Sequence, residues 1–185
     1  EEGYPRNGKQ GRAFIDIFRC QGCGACVSEC PAGAITLERF GDKILLESGI
    51  LGGSSITVIS CRYCGNIPVE LAGTGRHQYP ADVKVVDVPC TGFITSRHIL
   101  SALEQGAEGV LVHACPEGTC HHLTGNERAE KRLAYCRELL KAAGMNPDRL
   151  RFADFGIGHG AAFARLVNEF SKELKVPKET LEVQR

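Results

Sequence analysis

The feature that most constrains this chain is a run of four cysteines. Cys20, Cys23, Cys26 and Cys30 form C-x2-C-x2-C-x3-C, and Pro31 follows at once. Thiolates two residues apart can wrap around one corner of a cubane cluster, while a fourth, three residues on and followed by proline, points away from it. A zinc site would bring two C-x2-C pairs roughly 15–20 residues apart, or Cys/His pairs. Three evenly spaced thiols with a following Cys-Pro do not fit that pattern. The run is therefore expected to bind a [4Fe–4S] cluster.

Composition narrows the setting. With 185 residues the chain can bury one or two small cores. Its 22 basic and 22 acidic residues balance, so it lacks the basic face of a nucleic-acid or membrane-surface binder. No apolar run approaches the roughly 20 residues of a membrane span, and direct membrane insertion is not expected. The ten cysteines sit in tight groups within a chain of ordinary apolar content. That favours metal ligation in a reducing, cytoplasmic setting over a disulfide framework.

The period of the sequence changes partway along. Residues 12–37 read as a ferredoxin-like unit: a short strand over Arg12–Ile17, the cysteine loop, then a helical turn and a strand from Pro31 to Leu37. Gly49–Ser55 is a turn-rich joint, and the expected division is residues 1–48 and residues 49–185. Beyond it, short β-branched runs start at Ile56, Val83, Val110 and Leu150. Between them lie helical patterns. Thr95 or Ser96 caps one carrying Ile99, Leu100 and Leu103, which Gly106 closes. Asn126 is expected to cap a longer helix with Leu133, Cys136, Leu139, Leu140 and Ala143 on one face. Residues 160–175 form a last helix, stopped by Pro177. Strands alternating with helices imply an α/β fold: a small parallel-sheet (flavodoxin/Rossmann-like) domain preceded by a ferredoxin-like iron–sulfur unit.

Cys61, Cys90 and Cys115 each follow one of these strands, and ligands collect outside the carboxyl ends of strands in an open parallel sheet. Cys64 and Cys120 lie in the adjoining loops. Five thiols should therefore share one crevice. Soft thiolates select Zn, Cu(I) or Fe–S. C-x2-C, then Cys90, then C-x4-C matches no common zinc finger or ribbon, and four of the five could bind a [2Fe–2S] cluster. A structural zinc is the alternative, giving a zinc-stabilised interaction domain that docks a ferredoxin onto an oxidoreductase complex. A redox-active Cys61/Cys64 thiol pair is a third. His121 and His122 adjoin Cys120, but neighbouring histidines in a loop do not readily face one metal, so surface or outer-sphere roles are expected. Cys136 reads as a core thiol. Gly156–Gly160 reads as a glycine-rich helix entry. Arg62, Arg76, Arg97 and Arg128 read equally as solvated side chains or as charges balancing a cluster. No acid, base or nucleophile constellation is evident.

Several segments carry a family resemblance: Cys61-Arg-Tyr-Cys64, Arg76-His-Gln-Tyr-Pro80, Val88-Pro-Cys90-Thr-Gly92, Gly106-Ala-Glu-Gly-Val-Leu-Val, Cys115-Pro-Glu-Gly-Thr-Cys120-His121 and Gly125-Asn-Glu-Arg-Ala-Glu-Lys-Arg132. Through them residues 57–170 resemble the delta subunit of methyl-viologen-reducing hydrogenase, a domain also fused to the A-type subunit of heterodisulfide reductase. The resemblance implies a [2Fe–2S] cluster on four of Cys61, Cys64, Cys90, Cys115 and Cys120, with Cys120, farthest past its strand, ranked as the spare. It also implies electron relay between a hydrogenase or formate dehydrogenase module and a heterodisulfide-reductase-type flavoprotein, with other subunits of such a complex as partners. The ferredoxin part resembles the second half of a two-cluster ferredoxin, where the fourth cysteine of each run serves the other cluster. Cys30 would then serve a second cluster, and that of Cys20, Cys23 and Cys26 would need a ligand from elsewhere. The missing first run and the lack of an initiator methionine lead us to expect a C-terminal part of a longer polypeptide, of the kind that forms the A-type subunit of heterodisulfide reductase.

Overall fold

A computed structural model describes residues 15–37, 40–47 and 49–175. All four expected strands form: β1 (Ile56–Cys61), β2 (Val83–Val88), β3 (Gly109–His113) and β4 (Leu150–Ala153). They build one parallel sheet in the order β2-β1-β3-β4. This is the order of flavodoxin-like doubly wound sheets, whose switch point lies between the first and third strands.

Alternation along the strands sends side chains to two cores. Ile59, Val86, Val88, Val110, Val112 and Leu150 share one apolar cluster. Ile56, Val58, Leu111 and Ala153 share the other. Helices α4 (Ser96–Glu104) and α5 (Gly125–Ala142) cover the first face through Ile99, Ala102, Leu133, Cys136 and Leu140. Helices α3 (Asn66–Thr74) and α6 (Gly160–Lys175) cover the second through Ala72, Phe163, Val167 and Phe170. Gly160 permits this second packing, because a Cβ there would lie 2.7 Å from the Ala72 amide nitrogen. Thr95 caps α4 in a reciprocal capping box with His98. Among the described residues no helix is long and apolar enough to cross a membrane.

Three local expectations are corrected. Asn126 does not cap α5: Thr124 holds that position. The buried Asn126 amide instead donates to the carbonyls of Cys115 and Pro116, both at 3.2 Å. Leu139 and Ala143 lie outside the buried face of α5, because its inward stripe runs through Ala129, Leu133, Cys136 and Leu140. Ile15–Ile17 begin a turn around Asp16, and Ile35–Leu37 form no strand. With no partner strand beside them among the described residues, Ile35 and Leu37 pack onto the core instead. The rest of the first expected strand, residues 12–14, and Pro177 lie outside the described residues.

The cysteine run belongs to the same packing. Val27 of the short helix α1 (Ala25–Glu29) and Leu45 of α2 (Asp42–Glu47) join the first apolar cluster, together with Leu51 of the joint. The joint is itself pinned at Gly53, whose N–H donates to the Gln105 carbonyl.

This packing yields a stability prediction. Leu133→Ala, which empties a buried site on α5, should cost about 2–5 kcal/mol. Leu139→Ala on the outer side of the same helix should cost much less. Urea midpoints at equal cluster loading compare the two.

Candidate metal centre

The register of the sheet sets the crevice. Cys61, the last residue of β1, pairs with Val88, and Ser60 pairs with His113. Each partner strand then runs two residues further to its own cysteine, Cys90 or Cys115. Cys61 and Cys115 meet across the switch point with their sulfurs 3.6 Å apart. Two thiolates on one tetrahedral metal at ~2.3 Å would be about 3.8 Å apart.

Cys90 and Cys120 form a second pair. An ideal Cβ at Gly125 would lie 2.2 Å from the Cys90 sulfur and 3.3 Å from the Cys120 sulfur, so both sulfurs converge on the first residue of α5. Cys120 arrives there because the chain doubles back. The Leu123 N–H donates to the Cys120 carbonyl, the Thr124 N–H donates to the His122 carbonyl, and Leu123 adopts a left-handed φ of 70°. That conformation is costly for a leucine, on the order of 1–3 kcal/mol. Cys64 is half-buried in the turn after β1. All ten cysteines are free.

Electrostatics marks these thiols. The Cys61 thiol is pushed far up by its hydrogen bond with Cys115 and by burial, against the N–H groups of Tyr63 and Cys64. Burial pushes Cys90 up to about 12, against the Gly92 N–H, and the charges of Cys120, Cys61 and Cys23 act on it in the same upward sense. Thiols that resist ionisation when crowded together are the groups a cationic centre would deprotonate. Among the described residues no three Cys, His, Asp or Glu side chains gather around a single point. The crevice thiols come two by two.

Cys20, Cys23 and Cys26 line a cavity of about 530 Å3. This suits a cubane, whose four irons each take their own protein ligand. Cys30 is not among its lining residues. Its sulfur faces backbone N–H groups instead, first that of Ala34, with Ala32, Ile35 and Gly33 beside it, and these lower its pKa. His121, His122 and Leu123 also line it, residues that their spacing in the sequence does not link to the run. Only tertiary packing brings them there. Tyr63, inside the C-x2-C turn, stacks on His121 at 3.9 Å and meets His122 edge-on at 5.3 Å.

The run docks on a 3-10 turn, Thr91–Phe93, directly after Cys90. Ser28 Oγ donates to the Gly92 carbonyl at 2.8 Å. Arg132 of α5 donates to the carbonyls of Gly92 (2.8 Å) and Ile94 (2.9 Å) and also pairs with Glu29. Arg128 pairs with the same carboxylate at 2.8 Å, and Arg62 pairs with Asp87 at 3.0 Å. Gly24, at φ 78°, lets the loop approach: a Cβ there would lie 2.6 Å from the Phe93 ring. Arg132→Ala would take a donor from each of two buried carbonyls, that of Ile94 and that of Gly92, which keeps Ser28, a loss of about 1–3 kcal/mol. Hydrogen exchange should show faster amides across Ala25–Glu29 and unchanged protection in β1 and β3.

Residues 56–176 match the methyl-viologen-reducing hydrogenase delta subunit family, and residues 13–36 match the 4Fe-4S binding domain. The chain is 33% identical over 198 residues to the A-type subunit of the ferredoxin/F420H2-dependent CoB-CoM heterodisulfide reductase of Methanosarcina acetivorans, a match covering 88% of this chain and 25% of that protein. Its Methanosarcina mazei counterpart, from a ferredoxin:CoB-CoM heterodisulfide reductase, is 32% identical over the same length and likewise covered to 25%. The chain thus spans a quarter of the length of these two relatives. It is 36% identical over 121 residues to the D-type iron-sulfur subunit of the F420-non-reducing hydrogenase of Archaeoglobus profundus, covering 65% of this chain and 88% of that protein. The chain belongs to the methyl-viologen-reducing hydrogenase delta subunit family, with a 4Fe-4S binding domain on its N-terminal side.

Proposed function

We propose that the chain relays single electrons, holding a [4Fe–4S] cluster on the Cys20–Cys26 loop and a [2Fe–2S] cluster in the crevice. The setting is a complex of the hydrogenase or heterodisulfide reductase type, between a hydrogenase or formate dehydrogenase module and a flavoprotein. The observation that carries this reading is the proximity of the two thiol groups: the cysteine loop packs on the turn that leaves Cys90, with Ser28 Oγ donating to the Gly92 carbonyl at 2.8 Å and Gly24 against the Phe93 ring. An electron arriving at one centre has a short, protein-filled step to the other across Gly92 and Phe93.

In this reading Cys61 and Cys115 serve one iron, Cys90 and Cys120 serve the other, and Cys64 rather than Cys120 is the spare thiol. The pairwise arrangement favours two metal positions over the single tetrahedral position of a structural zinc. When bound, such clusters supply one-electron transfer at potentials set by hydrogen bonds to sulfur and by burial. The chain provides both: N–H groups of Tyr63 and Cys64 aimed at Cys61, the Gly92 N–H 3.4 Å from Cys90, and a crevice in which Cys61, Cys90 and Cys115 are buried. Ile17 and Phe18 stand exposed immediately before Cys20, offering apolar surface to a partner beside the first centre.

Anaerobic iron and acid-labile sulfide analysis with EPR tests the reading. Six irons per chain and two distinct reduced signals are expected. Cys90→Ser and Gly125→Ala, whose new methyl would displace the Cys90 sulfur, should each abolish the two-iron signal and leave the four-iron signal. Stoichiometric zinc in the crevice, with iron only at the N-terminal run, would instead favour the docking-domain alternative.

A further inference from the structure

Two neighbouring residues at the start of α5 reach both thiol pairs of the crevice. Gly125, the first residue of the helix, has no Cβ, and the Cys90 and Cys120 sulfurs crowd the space a Cβ would need. Asn126, the second, is buried, and its Nδ2 donates to the carbonyls of Cys115 and Pro116, both at 3.2 Å. Cys115 in turn carries the sulfur that lies 3.6 Å from that of Cys61. The first turn of one helix thus touches Cys90, Cys120 and Cys115 directly, and Cys61 through Cys115.

This contact does not serve to cap the helix. Thr124 holds the cap position, but its side chain makes no cap hydrogen bond, and its hydroxyl accepts from Arg128 Nε at 3.2 Å. The amide orientation of Asn126 follows from its partners, because the reverse would turn Oδ1 onto two carbonyl oxygens. Oδ1 is buried and has no hydrogen-bond partner among the described residues, so the side chain is committed to the Cys115–Pro116 backbone. The sheet registers Cys61, Cys90 and Cys115 through β1, β2 and β3, but it does not register Cys120, which lies in the loop between β3 and α5. Asn126 closes that loop at its base and ties the Cys115 backbone to the residue next to Gly125. Groups that hold metal ligands in place from behind tune a site nearly as strongly as the ligands themselves.

We infer that Asn126 is a positioning residue for the crevice: it grips the Cys115 backbone from the helix whose first residue abuts the Cys90 and Cys120 sulfurs, and so sets the spacing between the two thiol pairs. The inference rests on the reading that the two pairs hold one two-iron cluster.

The test uses the full chain, anaerobically loaded and reduced, with the four-iron EPR signal as internal reference. In Asn126→Ala the two-iron signal should be lost or appear with shifted g-values, while the four-iron signal is unchanged. Asn126→Asp, which sets a carboxylate oxygen against the two carbonyls, should lose the two-iron signal altogether. Leu133→Ala lowers stability from further along the same helix and should leave both signals unchanged, which separates positioning from stability alone. Asn126→Gln keeps the donor on a longer stem and serves if the alanine chain does not fold; it should hold two crevice irons with shifted g-values. Hydrogen exchange over residues 117–120, where the Thr119 N–H shares the Pro116 carbonyl with Asn126, should be about ten-fold faster in Asn126→Ala. Unaltered g-values in Asn126→Ala and Asn126→Gln, or unchanged exchange, would overturn the inference and leave the cluster assignment standing. Absence of a two-iron signal from the unaltered chain would overturn that assignment and the inference with it.

Discussion

β1 pairs with β2 on one side and β3 on the other, and this parallel register is what the remaining chemistry depends on. With Cys61 level with Val88, and Ser60 level with His113, the chain needs only two more residues on each side strand to bring Cys90 and Cys115 to the same edge. A one-residue slip in either pairing would turn a strand's apolar set to the wrong face. It would also carry its cysteine away from the switch point. The two apolar clusters on either side of the sheet therefore hold the thiol geometry as well as the fold.

The N-terminal run uses the same frame. Val27 and Leu45 bury themselves in the cluster beneath α4 and α5, while Arg132 and Ser28 tie the loop to the backbone that leaves Cys90. One short turn, Thr91–Phe93, thus has the crevice on one side and the cysteine loop on the other. Glycine at positions 24, 92 and 125 permits the close approach. A Cβ at Gly92 would lie 2.8 Å from Gly125 Cα, so any side chain there would wedge α5 away from the site.

Much of this is legible in the residues. β-branched runs that lead into cysteine announce strands β1 and β3, and the parallel-sheet rule alone brings Cys61 and Cys115 together. Helix α4 is marked by Thr95, and α6 by its amphipathic spacing. What cannot be read depends on contacts distant in the chain. Asn126 has the residue type of a cap, yet its amide reaches back to the carbonyls around Cys115. Cys120 is remote from its strand in sequence, yet the turn at Leu123 returns it to Cys90. His122 lies 101 positions from Gln21, and no local pattern links them.

On the proposed assignment of a cluster to each cysteine group, two neighbouring redox centres within one folded unit should sense each other's spins. EPR of the fully loaded, fully reduced chain tests this most directly. The expected result is signals broadened or split by magnetic interaction between the two reduced centres, differing from the sum of spectra of singly loaded variants. Two unperturbed signals at full occupancy would contradict the proximity of the centres.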